Sequence, residues 1–471
     1  MWSDLILRQV GLLGKTLFDR RNRDAVWSDH HMISRRDTFR AATAAALAGT
    51  ATTDAQSTRG LPPLKITGVR VILTCPPFPG FDAKAYHRLV VVKVETSEAG
   101  LYGVGCATYT FRPEAVAATI EQSLKPFVLG KNPDQIEDLW GAMNASTLWR
   151  SGPVLHNSIS GIDMALWDIK AKRAGMPLYQ LLGGKMRSAA QCYAHAGGRD
   201  GAECAENVKR YMAEGFQHVR IELGGTTVGA ADGSLTEATR GMPTALMQDG
   251  SRYVRLTPKL FEKVRKECGD EVELLHDIHG ELHPVECIDM IKRIEPFRPY
   301  FIEDPFYPEE IGFMARLRQA TTAPIAIGEK FVNNAEYVGL IKDRLIDFIR
   351  VHQSYIGGIT RARRLAVLCE WHGVRTAWHA PRDTSPIGHA ANLHLDLAIP
   401  NFGVQERIVF GSVVEEVFPG TPVIRNGMMY PNDKPGLGID INEKLAARYP
   451  HPSDPGNFGP KRRREGGVVS N

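Results

Sequence analysis

The apolar positions change rhythm once along the chain. After residue 60, two runs alternate apolar and polar positions and are rich in β-branched residues: "KITGVRVILT" (Lys65–Thr74) and "RLVVVKVET" (Arg88–Thr96). They predict strands, and the second leads into the glycine-punctuated "GLYGVG". Apolar spacings of three and four then predict helices over Pro113–Phe127, Pro133–Met143 and Ile159–Leu182, the last stopping at Gly183–Gly184. Strands followed by helices predict a small α+β domain. From Ala189 short apolar runs alternate with amphipathic stretches: "QCYAHA", "HVRIEL", "ELLHD", "YFIED", "PIAIGE", "DFIRV", "VRTAWH" and "FGVQE". Segments such as "PVECIDMIKRIEP" and "ITRARRLAVLCEWHG" lie between them. Eight βα units predict a closed parallel barrel, with a doubly wound open sheet as the alternative. One connection is abnormally long, running from Gly224 to Thr257 before the next helix.

The rhythm divides the chain into an upstream extension (1–60), an α+β domain (61–186), the barrel (187–410), a C-terminal segment returning to the first domain (411–450) and a basic disordered tail (451–471). Composition narrows the picture. The 471 residues are 43% hydrophobic and 23% charged, an ordinary globular balance. Net charge is only +4, part of it from the tail "PKRRRE" (Pro460–Glu465), which argues against a nucleic-acid-binding body. No apolar run is long enough to span a bilayer, so no membrane anchor is expected. "MISRRDTFRAATAAALAG", from Met32, has paired Arg35 and Arg36 before an Ala-rich run and resembles a twin-arginine export signal. "ALA" (Ala46–Ala48) and "TDA" (Thr53–Ala55) are candidate cleavage sites, and periplasmic localisation is the expectation, with the cytoplasm as the alternative if the signal does not function. The seven cysteines are scattered and never form a CxxC pair, against both a disulfide framework and a cysteine-zinc site.

The chemistry sits at the ends of the strand-like runs. Asp277 closes "ELLHD", Glu303 closes "YFIED" and Glu329 closes "PIAIGE", each 26 residues from the last. In a parallel barrel the C-terminal ends of consecutive strands ring one mouth. Three carboxylates held there would raise each other's pKa, and a divalent cation resolves that conflict; an all-oxygen set favours Mg²⁺. The alternative is that each acid caps the helix after its strand. His279 lies two residues beyond Asp277, so continued extended backbone would aim both at one face. His276 should face away, and His283 lies further along the loop.

These residues carry a resemblance. "ALWDIKAKRAGMPLYQLLGG", "LLHDIHG", "FIEDP", "IGEKF", "GGIT", "WHAPRDTSP" and "PNFGVQE", in this order, resemble the enolase superfamily and within it the D-mannonate dehydratase family, over about residues 62–450. The resemblance implies an α+β capping domain on a (β/α)₇β TIM-like barrel and one Mg²⁺ on Asp277, Glu303 and Glu329. It implies removal of a proton α to a carboxylate, the Mg²⁺ stabilising the charge that follows. It makes His279 a general acid, His379 a second acid/base or substrate contact, and places His195, Arg350, Asp383 and Glu406 at the substrate pocket. It also implies a homo-oligomer.

The chain departs from the family pattern twice. Family dehydratases pair a strand-two arginine with a nearby tyrosine as an Arg–Tyr base. Here Arg220 is present, but "GGTTVGAADGSL" (Gly224–Leu235) holds no tyrosine, and the next is Tyr253. Thr110 stands where the family places a substrate-facing Asn. Many superfamily members also pair the strand-seven histidine with an Asp after strand six; here His352 lies near that point. The expectation is an Mg²⁺-dependent dehydratase of D-mannonate- or D-gluconate-like sugar acids, yielding a 2-keto-3-deoxy acid, with Tyr253 or His379 as base. A hydroxy-acid racemase or epimerase, and a catalytically impaired sugar-acid-binding or sensory protein, remain as alternatives.

Overall fold

The computed structural model describes residues 62–79, 88–223, 247–381 and 383–452, with the backbone of 462–463. The export-signal reading at 32–55 and nearly all of the tail after 452 lie outside the described residues.

The alternating runs form an antiparallel sheet of β1 (Ile66–Thr74), β2 (Leu89–Thr96) and β3 (Tyr102–Cys106). The predicted first helix is α1 (Pro113–Thr119), which widens into a π-helical turn over Ile120–Leu124 before ending at Val128. α2 spans Ile136–Asn144. The third helix is shifted from expectation. α3 runs Pro153–Arg173, starting earlier because Pro153 occupies the first turn, where a missing N–H costs nothing. Its chain turns at Gly175 (φ 67°), and Leu178–Leu181 form a separate turn of helix. α3 is buried almost all round, which weakens its amphipathic signal. The spaced glycines of "GLYGVG" let it lie on the sheet: a Cβ on Gly105 would stand 2.0 Å from the Gly161 carbonyl.

Eight parallel strands follow: β4 (Ala190–Ala196), β5 (His218–Ile221), β6 (Glu273–Asp277), β7 (Phe301–Glu303), β8 (Ile325–Ile327), β9 (Phe348–Ile349), β10 (Arg375–Thr376) and β11 (Gln405–Glu406). Bonding passes in order from β4 to β10, Thr376 bridges to Phe402 ahead of β11, and β11 pairs back onto β4. The ring therefore closes, and the open-sheet alternative falls. The helices are α4 (Gly201–Ala213), α5 (Gly250–Cys268), α6 (Pro284–Ile294), α7 (Met314–Ala320), α8 (Asn334–Lys342), α9 (Ile359–Trp371) and α10 (Pro386–Ala398). The connection before α5 is shorter than predicted. α5 starts at Gly250, capped by Asp249, whose carboxylate accepts the Arg252 N–H at 2.9 Å.

After β11, α11 (Ser412–Val417) and α12 (Glu443–Ala446) join the apolar core of the α+β domain. The hairpin between them, β12 (Val423–Arg425) and β13 (Met428–Tyr430), instead adds antiparallel to β4 of the barrel. The two layers are tied together at the start of α9. The indole N–H groups of Trp140 and Trp167 donate to Gly357 O (2.7 Å) and Thr360 Oγ1 (2.8 Å), and Asp163 accepts the Thr360 N–H at 3.0 Å.

Candidate active site

Period-two alternation builds the site. Tyr193, Leu275, Phe301, Phe348 and Val404 point into the barrel and form a separate buried cluster. Two residues further on, toward the C-terminal ends, the same strands carry His195, Asp277, Glu303, Arg350 and Glu406. β8 breaks the phase. Ala326 faces inward, so alternation would send Glu329 outward. Gly328 has φ 144°, and a Cβ there would stand 2.9 Å from Val351 N. Glycine at that position turns Glu329 back over the mouth.

The three acids converge. Ligand atoms of Asp277, His279 and Glu329 lie within 4.8 Å of one another, as do those of Glu303, Glu329 and His379. Glu329 belongs to both groups and joins them. The acids are not uncompensated, as sequence reasoning assumed. Arg220 Nη1 lies 2.8 Å from Asp277 Oδ2 and 3.5 Å from Glu303 Oε2. Arg350 pairs with Glu303 through Nε, and Lys330 Nζ lies 2.5 Å from Glu329 Oε1. Burial pushes the Glu303 carboxyl up to about 8, against Arg350 and with the Asp277 charge adding to the rise. Burial also works against Glu329, but Lys330, His379 and His279 outweigh it and hold that carboxyl near 2. None of the three accepts from the helix after its strand, so the capping alternative has no support in these contacts. Asp277 and Glu303, each grouped with Glu329, supply the hard oxygen donors that suit a small divalent cation such as Mg²⁺.

His279 reaches Asp277 by a different route than extended backbone. Its φ is 55°, and the turn places Nε2 3.0 Å from Asp277 Oδ2 while its N–H donates to Oδ1 at 2.8 Å. Burial opposes a charged ring there, but Asp277 and Glu329 overcome it and raise the imidazole to about 9. His379 stands between acids as well. Nε2 is 3.4 Å from Glu329 Oε2, and Nδ1 lies 3.3 Å from Glu406 Oε2 and 3.0 Å from Arg350 Nη2. A proton on Nδ1 can go to Glu406, leaving Nε2 bare. Without it, Nδ1 accepts from Arg350 and Nε2 keeps its hydrogen.

The cavity over these groups measures about 970 Å³. His195, Arg220, His279, His379, Asp383 and Glu406 line it. His195 Nε2 faces Glu406 Oε1 at 3.2 Å, and Asp383 Oδ2 accepts the Tyr355 hydroxyl at 2.8 Å. Arg350 departs from its expected place at the pocket wall. It is 0% exposed and linked to Glu303, Glu406 (2.8 Å) and His379, because two desolvated carboxylates beneath the mouth need its charge. Tyr253 also stays out of the cavity. His276 Nδ1–H donates to Ile221 O (2.8 Å), leaving Nε2 to accept the Tyr253 hydroxyl at 2.9 Å, outside the strand ring. Burial holds that phenol well above its ordinary pKa, so Tyr253 does not supply a base here. His352 is buried beside His379, stacked on Tyr355 rather than placed as a dyad partner.

Sequence reasoning missed Glu222, Lys330, Tyr307 and Tyr355 at the cavity wall. Lys330 was visible beside Glu329 in "IGEK", but its contact with Asp304 Oδ2 (2.9 Å) was not. Among the described residues no helix is long and apolar enough to cross a membrane.

Comparisons with known proteins agree with this fold. Residues 203–445 match the family described as Enolase C-terminal domain-like, and residues 65–183 match the mandelate racemase / muconate lactonizing enzyme N-terminal domain. A D-galactonate dehydratase family member of Musicola paradisiaca is 47% identical over 401 residues, covering 82% of this chain and 94% of the relative. The D-galactonate dehydratase family member RspA of Pantoea ananatis matches to the same extent. The crystal structure of an enolase from Pantoea ananatis with bound D-gluconate and Mg superposes with a TM-score of 0.80 at 45% identity, covering 86% of this chain and 99% of that one. A putative dehydratase from Salmonella enterica superposes with a TM-score of 0.72 at 26% identity, covering 82% and 98%.

Proposed function

The chain belongs to the D-galactonate dehydratase family of the enolase superfamily, and from that membership we propose that it dehydrates a D-gluconate- or D-mannonate-like sugar acid to the 2-keto-3-deoxy acid. It is an Mg²⁺-dependent enzyme, a sugar-acid dehydratase. The observation that carries the finer reading is that Glu329 joins Asp277 on one side and Glu303 on the other, beneath a cavity whose wall carries His279 and His379.

In this reading Asp277, Glu303 and Glu329 hold the metal. When bound, Mg²⁺ would anchor the substrate carboxylate and supply positive charge where negative charge grows after proton loss. Arg220 favours the ionised form of Asp277 and Lys330 that of Glu329. His379 is the base: the Glu406 carboxylate accepts a hydrogen bond from Nδ1–H, and bare Nε2 removes the α-proton. His279 is the acid. Its Nε2 lies 3.0 Å from Asp277 Oδ2, beside the metal set, and its ring gives a proton to the departing β-hydroxyl, which leaves as water. The enol left behind takes up a proton to become the keto acid.

The test is incubation with Mg²⁺ and a panel of sugar acids in D₂O. The expected result is a 2-keto-3-deoxy acid from a six-carbon aldonate, lost in His379→Asn and His279→Asn. Deuterium uptake without elimination would replace dehydration by epimerisation. Tight sugar-acid binding without either would leave a binding protein. Residues 32–55 support export as a further part of the proposal, and R35K/R36K should hold the protein in the cytoplasmic fraction.

A further inference from the structure

Two polar atoms at the seam between the capping domain and the barrel are buried and lack hydrogen-bond partners: Thr110 Oγ1 and Asp383 Oδ1. Thr110 is 0% exposed, and both residues line the cavity. A buried oxygen without a partner costs about 1–3 kcal/mol, so two on one wall call for a ligand that satisfies them. The metal-binding acids and their two imidazoles account for the carboxylate end of a substrate. Neither residue belongs to the metal-binding groups.

Tyr355 links them. Its hydroxyl donates to Asp383 Oδ2 at 2.8 Å, which leaves Oδ1 as the open acceptor, 3.8 Å from His352 Nε2. Its ring is held on both sides. His352 stacks on it at 4.1 Å and 12°, and Tyr109, the neighbour of Thr110, meets it edge-on at 5.6 Å. His352 is fixed in turn: Ser354 N–H donates to Nδ1 (3.2 Å), so Nε2–H donates to Thr384 Oγ1 at 2.8 Å. The ring therefore cannot swing without breaking a stack and an edge contact. The Tyr355 hydroxyl thereby keeps its hold on the carboxylate, and Tyr109 adds aromatic surface to the cavity wall.

We propose that Tyr355 is a positioning residue for substrate specificity: it fixes Asp383 so that Oδ1, together with Thr110 Oγ1, receives the hydroxyls of the sugar-acid tail remote from the carboxylate. This rests on the sugar-acid reading above and sharpens it. The substrate is a long polyhydroxy acid, and short hydroxy acids lack the part that this wall recognises.

The experiment compares wild type with Tyr355→Phe, which removes one oxygen and keeps the His352 stack. Steady-state kinetics with Mg²⁺ use D-gluconate as the long probe and D-glycerate as the short one. The expected result is a KM for gluconate raised about 10-fold with kcat within 2-fold, and no change for glycerate. Equal effects on both acids, or none on gluconate, would overturn the inference while leaving dehydration intact. If wild type turns over neither acid, the dehydratase reading fails and calorimetry of the same two acids on the Mg²⁺-loaded protein decides the inference separately. A gluconate affinity unaltered by Tyr355→Phe, or no gluconate binding by wild type, overturns it. Thr110→Val gives a second variant remote from Asp383, expected to weaken gluconate and spare glycerate.

Discussion

The floor and the mouth of the barrel are built by the same strands, one pleat apart, and obey opposite physics. On the floor Leu275, Phe301 and Phe348 are buried with no charge to satisfy, and removal from water stabilises them. At the mouth Asp277, Glu303, Arg350 and Glu406 are as deeply buried, and every one needs a partner of opposite sign. The floor is stable by itself. The mouth balances only as a set, and a cation added there changes the terms for every member. Of the two layers, only the one that is costly to build carries the chemistry.

The largest effect separating the layers is catalytic. Glu329→Gln should lower turnover by at least ~10³-fold and abolish Mg²⁺ binding by calorimetry, with the circular dichroism spectrum unchanged. Retained Mg²⁺ affinity would remove Glu329 from the metal set. Phe301→Ala on the floor should do the reverse. It should cost about 3–5 kcal/mol in denaturant unfolding while the folded fraction binds Mg²⁺ within a few-fold of wild type. Collapse of metal affinity in that variant would mean that the layers are coupled rather than stacked.

Next in size is the metal itself. Mg²⁺ at 100 times its Kd should stabilise the fold by about 2.7 kcal/mol, read as a rise in Tm that EDTA reverses. Glu329→Gln should lose that rise and Phe301→Ala should keep it. The smallest effect lies away from both layers, where α12 returns to the capping sheet. Hydrogen bonds from Arg70 hold the Glu443 carboxyl near 2 despite some burial, with Lys93 adding to the effect. Its ordinary value is 4.5, so the stabilisation is fully present above about that pH and is lost as pH falls through 2. After solvent screening it amounts to at most about 1 kcal/mol. The Tm gap between wild type and Glu443→Gln should therefore be open at pH 7 and narrow toward pH 2.

Much of the fold was legible because apolar alternation is a local signal. All eight barrel runs carry strands, and the acid of each metal-set run stands at or just beyond its strand end. Boundaries were less legible. α3 begins six residues before its predicted start because its buried surface wraps the whole helix and leaves no polar face to mark the end. The turn into Glu329 was invisible as well, because two-residue alternation predicts the wrong side and only a φ of 144° at Gly328 corrects it.

By itself the sequence determined the order of elements, the parallel barrel, the three carboxylates one βα unit apart and the family. The first three follow from periodicity and spacing along one chain, and the family from the resemblance of its ordered motifs. Only the tertiary structure decided how the charges pair. It placed Arg220 between Asp277 and Glu303, sank Arg350 beneath the mouth, removed Tyr253 from the cavity and set Tyr355 against Asp383. The reason is range. Alternation is felt between neighbours in the chain, whereas a buried charge is settled by whichever opposite charge closure of the ring brings within a few ångströms, from any distance in sequence.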